Sequence, residues 1–91
     1  MSEPEEMTAM EHAPVLELFV MPGCDECQKV RSYVADRGVG IATTDVTRSR
    51  DARTRLQDLL GRLQVPCLLV NGQVPVLGGS EIVTYLSDHV A

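Results

Sequence analysis

Cys24 and Cys27 stand three residues apart in "VMPGCDECQKV", residues 20–30, with Asp25 and Glu26 between them. Three arrangements use such a pair: a redox dithiol, half of a metal site, or two structural thiols on one helix. The pair follows a Pro-Gly break and opens a run in which Cys27, Val30 and Val34 recur at helical spacing. That places Cys24 at a helix start. There the first-turn N–H groups lack partners and the helix dipole is positive, and both favour thiolate over thiol. Cys27 lies one turn further in, so the two sulfurs can meet. Cys24 is then the exposed attacking thiol and Cys27 the more buried resolving one. Asp25 and Glu26 suit the positive end of a helix but repel a thiolate beside them, and Lys29 and Arg31 offset part of that repulsion. By disfavouring the reduced form, the two acids make the couple more reducing.

Further along, Val65-Pro66 opens the apolar run "VPCLLV". A proline there suits a cis bond, which leaves the preceding backbone free to pair with an extended ligand. Gly79 and Ser80 offer backbone N–H groups where a last helix begins, a place to hold a carboxylate. A thiol, an open backbone edge and a carboxylate cradle describe a receptor for a short acidic thiol peptide, and so point to glutathione. The third cysteine, Cys67, sits inside an apolar run and reads as a small buried hydrophobe. His12 and His89 lie far from the pair and no second Cys-x-x-Cys exists, so no metal site is assigned.

These residues need elements to hold them. "VLELFVM", Val15 to Met21, is apolar except for Glu17 and reads as a central strand covered on both faces. The helix from Cys24 runs to about Arg37, with Gly38 as its stop. "VGIATTDV", Val39 to Val46, is a second strand. In the segment after it, Ala52, Leu56, Leu59, Leu60 and Leu63 form an apolar helical stripe. Arg48, Asp51, Arg55, Asp58 and Arg62 form a ladder of alternating charge on its solvated face. Arg50 and Arg53 lie off that ladder as candidate ligand contacts. Val65 to Val70 is a third strand, Asn71-Gly72 a hairpin turn, and Val74 to Leu77 a returning strand that Pro75 confines to the sheet edge. Ser80 is the expected N-cap of a final amphipathic helix containing Ile82, Val83, Tyr85, Leu86 and Val90. The order β-α-β-α-β-β-α gives an α/β fold: a four-stranded mixed sheet with helices on both faces.

By this point the chain resembles the glutaredoxins of the thioredoxin fold. "CDEC" at a strand–helix turn, "VPCLLVNGQ" downstream and "GGSEI" after it occur in that family's order. "VPCLLVNG" followed by "GGSEIVTYL" is also similar to the N-terminal, glutathione-binding domain of glutathione transferases. The resemblance implies Cys24 as nucleophile, Cys27 as resolving cysteine and Pro66 as the cis-proline. It places Val65 against the glutathione backbone, and Gly79, Ser80 and Glu81 at its γ-glutamyl end. Met21 stands where a basic residue is common, Asp25-Glu26 where Pro-Tyr is usual, and Gln64 where Thr is common. These replacements remove positive charge from the expected groove.

Composition bounds the rest. The 91 residues fit one small domain, and 3% aromatics leave a core of Val, Leu, Ile and Ala. Residues 1–14 carry Glu3, Glu5, Glu6 and Glu11 and no base, and read as a flexible acidic arm. The domain, residues 15–91, has nine acids against eight bases, so it offers no basic field for nucleic acid. No run approaches the about 20 apolar residues of a membrane span, and the arm lacks the features of a secretory signal. The expected protein is a cytoplasmic monomer, a thiol–disulfide oxidoreductase in electron transport and cell redox homeostasis. It acts on disulfide-bearing proteins or small molecules, and its donor is glutathione as co-substrate, with no tightly bound cofactor. The alternatives are the same dithiol reduced by a flavoprotein reductase of the thioredoxin-reductase type, and a glutathione-ligated iron–sulfur or metal carrier.

Overall fold

The computed structural model describes residues 14–89. The expected acidic arm over 1–14 therefore lies, apart from Pro14, outside the described residues, as does Val90. The elements run β1 (Leu16–Val20), α1 (Asp25–Arg37), β2 (Ala42–Asp45), a 3-10 turn (Val46–Arg48), α2 (Arg50–Leu60), β3 (Cys67–Val70), β4 (Val74–Leu77) and α3 (Gly79–His89). This is the expected order, in a thioredoxin-like fold. The sheet order is β2-β1-β3-β4, with β1 parallel to β2 and antiparallel to β3, and β3 antiparallel to β4. The Pro75 strand is thus at the edge, where a missing N–H leaves no gap in a central ladder.

Alternation along β1 and β3 builds two cores. Leu16, Leu18, Val20, Leu68 and Val70 meet Cys27 and Val30 of α1 and Ile82 and Leu86 of α3 on one face. Phe19, Cys67 and Leu69 meet Val46, Ala52 and Leu56 on the other. Glu17, the single polar residue in "VLELFVM", points toward α2. There Arg55 grips both its carboxylate oxygens at 3.0 Å, and the guanidinium also lies over the Phe19 ring. This bond holds the Glu17 carboxyl below its ordinary pKa.

Several local expectations change. Arg55 pairs with Glu17 and Arg48 with Asp45, rather than with Asp51 and Asp58 along a ladder. Arg53 donates to the Val46 carbonyl at 2.7 Å and so braces the turn before α2. The predicted stripe overruns its helix: Gly61 adopts φ 79° and ends α2 at Leu60, leaving Leu59 42% exposed and Leu63 beyond the end. The second strand starts at Ala42 rather than Val39, because Val39 is spent closing α1. Its N–H donates to the Val34 carbonyl and that of Gly38, at φ 64°, to Ala35, a Schellman ending. The third strand starts at Cys67 rather than Val65. The hairpin turn is as expected, with Asn71 at φ 55° and Gly72 at φ 69°. Among the described residues no helix is long and apolar enough to cross a membrane.

Candidate active site

The site sits where the sheet's central strand hands the chain to α1. Gly23, at φ 78°, turns the backbone after Pro22, and Cys24 follows in extended geometry as the N-cap of α1. Its Sγ accepts the Cys27 N–H at 3.1 Å. A sulfur thus does the work that a serine or aspartate oxygen does at other helix starts. Cys24 is half-buried and Cys27 only 2% exposed, packed with Val30 and Leu18 in the core under α1 and α3. The two sulfurs lie at bonding distance, with the Cα atoms 5.2 Å apart. The helix start thus joins one reachable sulfur to one enclosed sulfur, the asymmetry that attack and resolution require.

The Val65–Pro66 peptide bond is cis. Pro66 is buried, and its carbonyl accepts the Gly78 N–H at 3.3 Å, tying this loop to the start of α3. Val65 is half-buried and packs against both cores.

Gly79 is buried, while Ser80 and Glu81 are exposed. Ser80 is not the N-cap of α3. The helix begins at Gly79, two residues earlier than a Ser80 cap implies, Gly78 supplies the carbonyl for the first intrahelical bond from Ile82, and the Gly79 N–H goes to a carboxylate from elsewhere. That carboxylate is Glu26, whose Oε1 lies 2.6 Å from the Gly79 nitrogen. The approach is close: a Cβ on residue 79 would lie 3.2 Å from both Cβ and Oε1 of Glu26, so the Glu26 side chain would have to give way by a few tenths of an ångström. Glu26, Lys29, Gly78, Gly79, Ser80 and Glu81 line one depression at this junction. One of the two residues between the cysteines is therefore a structural partner of α3. Sequence reasoning treats Glu26 as local to its own helix. The nearest signal of the longer reach is "GGS", which marks a close backbone approach without saying to what.

Cys67 lies on the far side of the sheet from the pair, paired in register with Phe19 and Leu77 and fully buried. Burial pushes its thiol up to about 11. It is expected to resist iodoacetamide in the folded protein at pH 8 and to react once urea unfolds the chain. Mass mapping of labelled peptides reads this directly. Among the described residues no three His, Cys, Asp or Glu side chains converge as a metal-binding group.

The chain matches the family model for glutaredoxins over residues 16–74. It is 31% identical over 61 residues to the Gene 56 protein of Mycobacterium phage D29, which spans 67% of this chain and 68% of that one. Its fold is similar to that of the thioredoxin-like protein BC3987, with a TM-score of 0.69, 23% identity, and coverage of 82% of this chain and 99% of that one. The glutaredoxin from Methanosarcina mazei Go1 superposes with a TM-score of 0.68 at 16% identity, over 84% of this chain and 78% of the other. The family match ends before Gly78, so the start of α3 falls outside it.

Proposed function

The chain belongs to the glutaredoxin family, and we propose that it is a thiol–disulfide oxidoreductase that cycles through Cys24 and Cys27. The observation that carries this reading is the N-cap sulfur: Cys24 accepts the Cys27 N–H at the positive end of α1. In the reduced protein that arrangement stabilises charge on Cys24 and makes it the attacking group. The Cys24 thiolate attacks one sulfur of a substrate disulfide, forms a mixed disulfide and releases the other sulfur as a thiolate. Cys27 loses its proton and attacks Cys24. The Cys24–Cys27 disulfide forms and the second substrate thiolate departs. The substrate gains two electrons and the protein loses two.

Val65 is proposed as the backbone edge along which the substrate lies. It adjoins Pro66, whose loop is tied to Gly78 at the start of α3. Substrates are disulfide-bearing proteins or small molecules, in a reducing compartment such as the cytoplasm. The electron donor is glutathione or a flavoprotein reductase, a choice on which Glu26 bears below.

Trapping tests the cycle. Cys27→Ser, once reduced and offered a disulfide-bearing protein, should stop at a mixed disulfide on Cys24 visible by mass. The wild-type protein should pass through and release reduced substrate. Absence of any adduct on Cys24 with a range of disulfides would remove the proposal.

A further inference from the structure

We propose that Glu26 is a specificity-determining residue: its carboxylate takes the Gly79 N–H at the N-terminus of α3 and so obstructs the cradle in which a carboxylate-bearing thiol such as glutathione would be held. The inference rests on the dithiol reading above and concerns which reductants that dithiol accepts.

Three observations carry it. The Gly79 N–H, the first donor of α3, is already bonded to Glu26 Oε1 at 2.6 Å. The Glu26 side chain lies against the Gly79 backbone, with its Cβ and Oε1 each 3.2 Å from where a Cβ would stand. The Glu26 side chain therefore narrows the space beside that N–H as well as taking its bond. The depression around it contains two carboxylates, Glu26 and Glu81, against the single ammonium of Lys29. An incoming carboxylate thus meets a taken donor and an excess of negative charge.

Geometry also makes the internal ligand hard to displace. Glu26 is in the first turn of α1, and α1 and α3 share one core through Val30, Ile82 and Leu86. The carboxylate is carried to Gly79 by the fold itself, so a free ligand competes with an intramolecular one of high effective concentration. Glu26 lies between the two cysteines in the chain, so the obstructing carboxylate is carried by the same helix start as the dithiol. Reductants that need no carboxylate anchor, a flavoprotein dithiol among them, meet no such barrier.

The test separates occupancy from charge. The oxidised protein is reduced by glutathione, by cysteinylglycine, which lacks the γ-glutamyl carboxylate, and by neutral 2-mercaptoethanol, and the rates are compared. Glu26→Ala empties the cradle and should speed glutathione alone by about tenfold, the factor that one charge-assisted hydrogen bond supplies. Glu26→Gln removes the same charge but keeps an oxygen for Gly79, and should recover only part of that gain; an equal glutathione-specific gain in the two variants would make charge rather than occupancy the cause and overturn the proposal. A rise with all three thiols in both variants would make Glu26 a charge effect and overturn the proposal, as would no gain in a folded Glu26→Ala. The wild-type protein supplies a second check if that variant does not fold. Its Gly79 amide resonance should not shift with millimolar S-methylglutathione, and a saturable shift would show the cradle open. Failure of wild-type protein to cycle with dithiothreitol would instead count against the dithiol reading itself.

Discussion

Cys24→Ser is expected to lose disulfide reduction by at least about a thousandfold, because a hydroxyl cannot supply the thiolate that attacks. The fold should survive, since serine is a good N-cap and its oxygen can accept the Cys27 N–H that Sγ accepts now. That combination makes the variant informative: chemistry goes while the helix start remains. Cys67→Ala removes a thiol of the same type from the opposite core and should keep the exchange rate of the parent. Stopped-flow reduction of a chromogenic disulfide, with circular dichroism as the check on folding, measures both. Equal loss in the two variants would mean that the activity follows general thiol content rather than the position at the start of α1.

Leu68→Ala is expected to destabilise the protein by about 3 to 4 kcal/mol, the usual cost of a cavity where a buried leucine had packed. Leu68 has no exposed surface and sits between Leu18, Val30, Ile82 and Leu86, beneath the two helices that carry Cys27 and Gly79. For a small domain with about 5 to 15 kcal/mol of stability, that loss is a large share of the total. Leu59→Ala, on the exposed side of α2, should cost no more than about 0.5 kcal/mol. Urea unfolding of the two variants separates them, and similar midpoints would contradict the packing described here. The consequence reaches the site, because the same core fixes how α1 and α3 stand against each other. Loosening it should weaken the Glu26–Gly79 bond along with global stability.

Much of this architecture could be read from local chemistry. A Pro-Gly break followed by Cys24 marks a helix start, Gly38 marks its end, and Asn71-Gly72 marks a hairpin, because each needs only the backbone preferences of neighbouring residues. Pro75 marks an edge strand for the same reason. What escaped reading depends on residues far apart in the chain. Glu17 and Arg55 are 38 positions apart, so an arginine that reads as one rung of a helical ladder pairs instead with a carboxylate of β1. Glu26 and Gly79 are 53 apart, so local sequence makes Ser80 the expected cap of α3 and gives no sign of Glu26. Leu63 matched the α2 stripe by spacing, but Gly61 ended the helix first. Side-chain period says which way a residue would face in a helix, not whether the helix reaches it.

The acids between the cysteines show how this bears on function. Read locally, Asp25 and Glu26 modulate a nearby thiolate. In the folded chain Glu26 has a second task, as the carboxylate that satisfies the next helix over. The pair of thiols and the cradle beside them are therefore linked through one side chain. In the proposed reading Cys24 keeps the dithiol chemistry while Glu26 obstructs the cradle at the start of α3.

The most direct test of the central claim is a redox titration with thiol mapping. The protein is equilibrated over graded ratios of reduced and oxidised dithiothreitol, quenched with an alkylating reagent, and each cysteine is scored by mass. Cys24 and Cys27 should change together in one two-electron transition, while Cys67 stays reduced throughout. A transition that involves Cys67, or one in which Cys24 and Cys27 change independently, would contradict a catalytic dithiol at the start of α1.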